Sequence, residues 1–399
     1  MQKYILLLKK DRNFRIISIV QLICYFAAWF SHTGIFTLLI KLNAPIWVIT
    51  ISAAMAFLPG IILAPFSGIL IDKFSPKPML LTMTLVEAIS VLMLLFIDSL
   101  SLLWLLLTLI FIRMGVGTIY FQAEMSLLPK ILNENELKLA NEIHSIIWAV
   151  AYSAGMGLAG IFIHFFGIKM AFLFDFCLYL VGFYFLFGLK VPSLVKNAPQ
   201  KAITMLKEGL NYIKKHRLIL HLLVLHAFVG ITAYDALIAL LADYKYAHLL
   251  SVSLVIGLTN ASRAVALMIA PAILSRFITK ENLSYFYVFQ GLGIIIWAIL
   301  QFNFYSGFIG MFCAGFFTST LWSFTYTLIL QNCDEKFYGR VIAYNDMIFL
   351  AFSTLTSLFI GFLFKNGIAL WAITALMGVA FFIGAFYYHK ISKIYDIKG

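Results

Sequence analysis

The sequence predicts an all-α membrane protein, with twelve transmembrane helices in two pseudo-symmetric six-helix bundles. Three observations carry that expectation. Of 399 residues, 63% are apolar and 12% charged, which is more hydrophobic surface than one soluble core can hide, so the bilayer must solvate most of the chain. The apolar residues fall into twelve runs long enough to span. One long polar break divides those runs six and six.

The first run, 14–40, follows Lys3, Lys9, Lys10, Arg12 and Arg15. It is too long for the core of a cleavable signal and reads as a permanent helix. Runs 45–71 and 79–97 flank Gly68-Ile-Leu-Ile-Asp72-Lys73-Phe-Ser-Pro76-Lys77-Pro78. This stretch concentrates charge and proline where the chain meets water, so it reads as a tight hinge. Runs 101–123, 139–164 and 169–189 complete the first half, and 217–242, 249–274, 282–302, 304–331, 340–364 and 367–389 form the second. Most connections are a few residues long, which makes successive helices antiparallel neighbours. The expected units are therefore 1–189, a linker 190–216 and 217–399. Within the linker, Ile203, Leu206, Leu210 and Ile213 recur at helical spacing among lysines, predicting an amphipathic surface helix.

Charge orients the bundle. With the N-terminus cytoplasmic, inside segments carry 23 Lys and Arg and outside loops only Lys41, Lys169, Lys245 and Lys365, so both termini are expected inside a bacterial inner membrane. The net charge of +12 then faces anionic lipid headgroups, and nucleic acid need not be invoked. Cys24, Cys177, Cys313 and Cys333 stand far apart without disulfide or metal spacing and read as packing residues. No phosphate-binding loop, His-Glu-x-x-His or Cys-x-x-Cys pattern occurs, so neither a cofactor nor a metal is expected and an enzyme is not. A weak repeat offset by about 200 residues includes Gly160…Gly167-Ile168 and Gly361…Gly367-Ile368.

An ionisable side chain inside a span costs about 2.5–3.5 kcal/mol on insertion scales and needs a reason. Glu87, Arg113, Asp235 and Arg263 are the deepest, while Asp175 and Asp346 lie nearer span ends. Glu87 either loads and releases a proton or makes a helix–helix hydrogen bond. Read from the residues, Arg113 pairs with a buried carboxylate to hold two helices. Asp235 suits a cation or a proton, and His32 either titrates or is structural. Proton-coupling candidates are thus Glu87, Asp235, Arg113 and His32. Trp29, Trp148, Tyr152, Arg263, Trp322 and Tyr326 are candidates to line a substrate cavity.

Gly68, Leu70, Asp72, Lys73 and Lys77 match the loop signature between the second and third helices of the major facilitator superfamily, with Ser75 and Pro76 replacing its second Gly and a basic residue. Arg113-x-x-x-Gly117 resembles that superfamily's fourth-helix element, and Ser153–Gly160 its glycine-rich fifth helix without the proline. Asp11-Arg-Asn-Phe-Arg15, Leu206–Ile213 and Tyr338-Gly339-Arg340-Val341 resemble the branch of enterobactin-type siderophore exporters and macrolide efflux pumps. The resemblance implies the major facilitator fold, a central cavity lined by the first and seventh helices, and an Arg113 that influences proton binding. It implies a monomeric, proton-coupled exporter of an amphipathic small molecule, working by alternating access; a siderophore importer or lysophospholipid transporter shares the fold. Gly68, Asp72, Lys73, Lys77, Gly339 and Arg340 would then form a cytoplasmic gate, with Asp72 held at the dipole of the eleventh helix.

Overall fold

In the computed structural model, which describes residues 2–190 and 202–397, twelve helical segments are long and apolar enough to cross a membrane. We number them spans 1 to 12: Arg12–Lys41, Ile46–Leu63, Pro76–Leu94, Leu100–Ile131, Leu139–Phe166, Ile168–Phe187, Arg217–Tyr244, Val252–Leu274, Leu283–Leu300, Phe304–Gln331, Glu335–Lys365 and Leu370–Ile394. The helix of span 2 resumes after a turn at Met55–Phe57 and continues through Pro59 to Lys73. No strand occurs among the described residues.

Packing repeats with a shift of six. Span 1 packs on spans 5 and 6 as span 7 does on 11 and 12, span 2 on 4 as 8 on 10, and span 3 on 4 and 6 as 9 on 10 and 12. Between the two sets, span 5 lies on span 8 and span 11 on span 2. The turns after spans 5 and 11 repeat as well, since Gly167 and Gly367 both adopt φ +84°, a left-handed conformation that favours glycine.

Local chemistry sets the ends of the spans. The Asp11 side chain accepts from Phe14 N at 2.6 Å and caps span 1. Asn13 exchanges hydrogen bonds with the Lys190 backbone, closing span 1 onto the end of span 6. Pro76 opens span 3, so the hinge read from sequence narrows to Phe74 and Ser75. Asn133 and Glu136 form a capping box at the helix leading into span 5. An N-terminal helix, Gln2–Lys10, which the charge pattern did not reveal, docks beside it through Tyr4 to Glu142 at 2.8 Å and Lys10 to Glu136 at 2.6 Å.

The linker helix, Ala202–Lys215, lies at the same end of the bundle against spans 2 and 11. Its packed face keeps the expected Ile213 and adds Gly209 and Tyr212, whereas Leu210 is exposed and the side chain of Ile203 lies outside the described residues. The side chain of Tyr212 decides this, its ring stacking on Phe337 at 4.1 Å and its hydroxyl accepting from Asp334 N at 2.9 Å. Cys24 and Cys333 are buried as expected, whereas Cys177 faces outward from span 6.

Candidate functional site

Span 7 is discontinuous. Its α-helix stops at Ala227, a 3-10 turn covers Phe228–Thr232, and a second α-helix begins at Asp235. A break inside a bilayer frees backbone carbonyls that must find protein partners. Arg263 of span 8 supplies one, donating from Nη2 to the Thr232 carbonyl at 2.8 Å, while its guanidinium lies 4.9 Å from the Tyr234 ring centre. Asp235 therefore sits at a helix N-terminus, where the dipole favours its charge.

The expected residues of spans 1, 5, 7 and 8 meet there. The Asp235 carboxylate is 3.6 Å from His32 Nε2, and both are buried. Trp29 contacts His32 edge-on at 5.6 Å and Tyr152 at 4.6 Å, and Trp148 stacks on Tyr152 at 5.3 Å. Arg263 Nη1 donates to the Tyr152 hydroxyl at 3.1 Å, which closes the circuit. Arg263, expected to line a substrate cavity, has both terminal nitrogens committed to protein groups.

A second cluster lies between spans 3, 4 and 6. Arg113 Nε is 3.2 Å from Glu87 and Nη2 is 3.8 Å from Asp175. A Cβ at Gly117 would stand 3.3 Å from Glu87 Oε1, so this glycine gives the carboxylate room. Asp175, placed near a span end by sequence, is fully buried. Two carboxylates thus share one guanidinium. A small cavity lined by Ala28, His32, Ser52, Ile110 and Arg113, among others, touches one member of each cluster.

Trp322 and Tyr326 stand apart from both clusters, stacked at 5.2 Å around His226 of span 7. Sequence reasoning also missed Glu124. It is 1% exposed and accepts from the Tyr25 hydroxyl at 3.2 Å, and the Tyr25 ring contacts His144, which contacts Gln21. Ending span 4 at 123 put Glu124 in a loop, but the helix runs on through Pro129 to Ile131. Met125, Leu127 and Leu128, apolar beyond Glu124, were the available signal.

Of the residues expected to gate, those that are described do not meet one another. Gly68 and the side chains of Asp72 and Lys73 lie outside what is described. Lys77 donates to the Phe187 carbonyl at 2.7 Å, at the end of span 6 and away from span 11; helix C-termini attract cations. Gly339 is exposed with open space beside it, and Arg340 pairs with Glu208 of the linker helix at 2.9 Å.

A family model described as Major Facilitator Superfamily matches residues 17–353. The chain belongs to the Major Facilitator Superfamily. It is an integral membrane protein of a family of transporters rather than of enzymes. It is 25% identical over 189 residues to the uncharacterized MFS-type transporter YvqJ of Bacillus subtilis (strain 168), covering 45% of each chain. It is 25% identical over 232 residues to YkuC of the same organism, covering 54% of this chain and 52% of the other. The chain thus spans about half the length of the curated relatives it matches. Among solved structures, an auto-inhibited POT family peptide transporter superposes with TM-score 0.76 at 10% identity, over 97% of this chain and 98% of the other. The nucleoside transporter NupG superposes with TM-score 0.71 at 14% identity, over 97% of this chain and 100% of the other. At these identities the likeness shows the fold alone.

Proposed function

We propose that this superfamily member is a proton-coupled exporter of an amphipathic organic solute, a siderophore or a drug. It would act as a monomer by alternating access between two six-helix halves in a bacterial inner membrane. The halves are 1–189 and 217–399, joined by 190–216, with both termini cytoplasmic. The observation that carries this reading is the sharing of Arg113 by Glu87 and Asp175 beside a cavity that His32 of the His32–Asp235 pair also lines. Two buried carboxylates on one guanidinium leave one negative charge to be balanced, and a proton is the smallest way to balance it.

The packing supports a rocking motion. Several close approaches between spans 1–6 and 7–12 lie at the end away from the linker. A Cβ on Gly160 would stand 2.9 Å from the Gly257 Cα, His164 meets Ser251 at 2.9 Å, and Gly361 presses on Thr50. Toward the linker end, Asn141, Ser145, Ser323 and Thr327 are exposed within their spans. Polar side chains there belong to a water-filled cleft rather than to lipid. With the linker cytoplasmic, this arrangement is inward-open.

Everted vesicles with an acidified interior test the reading. Uptake of macrolide or siderophore probes is expected to require the pH gradient, and Glu87→Gln or Asp235→Asn to reduce it at least tenfold. Gradient-driven uptake that survives both substitutions removes the coupling assignment.

A further inference from the structure

Well inside the spans, Glu87, Glu124, Asp175, Asp235 and Asp346 face only Arg113 and Arg263. The transmembrane interior of a chain with net charge +12 is therefore acidic. Both arginines are committed, to Glu87 and Asp175 and to the break in span 7. Asp346 differs from the other four carboxylates in being exposed. It accepts from the Asn345 amide at 3.3 Å, and among the described residues no cation stands within ion-pair distance of it.

Exposure toward lipid would be costly for a carboxylate, and its neighbours place it on the cleft. Asp346 stands on span 11, which packs against the first helix and the 3-10 break of span 7. One helical turn on, Phe349 packs against His226 at 5.6 Å, and the same imidazole contacts Trp322 and Tyr326. His226 is fully buried, held by Thr325 at 2.7 Å, and its Nε2 has no hydrogen-bond partner. The indole of Trp322 is 40% exposed beside Ser323 and Thr327 on span 10, the least apolar of the twelve spans. An aromatic wall and an uncompensated carboxylate thus meet at one corner of a polar cleft.

We propose that the corner formed by Trp322, Tyr326 and Asp346 binds the positive group of an amphipathic organic cation, which rests on the transport reading above and narrows its substrate class. The aromatic faces attract a diffuse cation and accept its apolar body, and Asp346 supplies the charge that rejects an anion of the same shape. Glu124, sealed behind Tyr25, takes no part in this contact.

Tetraphenylphosphonium and tetraphenylborate have the same shape and opposite charge. Equilibrium binding of each to the purified full-length protein in nanodiscs, with no pH gradient, tests the corner apart from the coupling. Tetraphenylphosphonium is expected to bind at least tenfold tighter than tetraphenylborate. Asp346→Asn should weaken it at least tenfold and Trp322→Ala by roughly 3–30-fold, while Asp346→Glu retains most binding and reports that the fold tolerates change there. Equal affinity for the two ions, or unchanged tetraphenylphosphonium binding by a monodisperse Asp346→Asn protein, overturns the proposal. Cation-selective binding lost in Asp346→Asn upholds it even where vesicle uptake proves independent of the pH gradient, a result that would count against the coupling alone.

Discussion

Arg263 Nη2 donates to the carbonyl of Thr232 at 2.8 Å, so a side chain of span 8 closes the break in span 7. The same guanidinium meets Tyr152 of span 5 at 3.1 Å. One residue therefore fixes the position of Asp235 and joins elements from both sets of six spans.

Replacing that residue tests its structural weight. Hydrogen bonds to charged groups contribute about 1.5–3 kcal/mol each, and Arg263→Ala leaves the Thr232 carbonyl with Tyr234 N as its donor. The expected result is a clearly lowered thermal midpoint of the detergent-solubilised protein, followed by intrinsic tryptophan fluorescence. Arg263→Lys should recover only part of the loss, since a point charge cannot hold two partners in a planar fork. An unchanged midpoint for Arg263→Ala would show that the break is held elsewhere.

The triad of Glu87, Arg113 and Asp175 predicts asymmetry between substitutions. Removing Arg113 leaves two buried carboxylates without a counter-charge, at a cost of about 3–5 kcal/mol, so Arg113→Ala should express poorly or unfold early. Adding Glu87→Gln and Asp175→Asn to that variant should restore much of the folded yield, measured by fluorescence-detected size exclusion. A triple variant no better than Arg113→Ala would refute the charge-balance argument.

The crossing of spans 5 and 8 leaves no space for a side chain. Gly160→Leu should part the two helices and favour the state open at the end away from the linker. Overpacking of this kind typically costs about 1–3 kcal/mol, enough to invert a two-state population. Maleimide labelling of Ser251→Cys, at the mouth of that crossing, is expected to rise in the Gly160→Leu background. Equal labelling in both backgrounds would mean that the glycine contact does not control the closed end.

The N-terminal helix should loosen in acid. Lys10, followed by the Asn133 backbone, holds the Glu136 carboxyl below the usual Glu range, and Glu136 in turn raises Lys10. A depressed carboxyl stabilises the docked form above its undocked value, near 4.3, and this contribution fades as pH falls through the lower docked value. Lys10 contributes below its usual range and loses its effect only as pH rises through its raised docked value. Hydrogen exchange of Gln2–Lys10 is expected to be slow at neutral pH and to lose protection, corrected for the intrinsic rate, below pH about 4. Flat protection across that range would exclude the pair as the tether.

Two segments that resemble the same branch, Leu206–Ile213 and Tyr338–Val341, turn out to be one contact. A Cβ on Gly209 would stand 3.0 Å from the Arg340 Cβ, and Glu208 binds the Arg340 guanidinium. Each was legible in the sequence, but nothing along the chain said that they touch. Arg340, expected at the gate with Asp72, is held by Glu208 of the linker helix.

The sequence by itself determined the twelve spans and their bias of positive charge, because the cost of placing polar groups in lipid is summed over neighbouring residues and can be read locally. It also marked Glu87, Arg113, Asp235 and Arg263 as deep residues that need partners. Only the tertiary structure decided who those partners are. Asp175 and Glu87 share Arg113, Asp235 meets His32, Arg263 mends a broken helix, and among the described residues Glu124 and Asp346 are left without a cation. Helix phase and the packing of spans far apart in sequence set those distances, and pair energies that fall off over a few ångströms leave no trace in composition or periodicity.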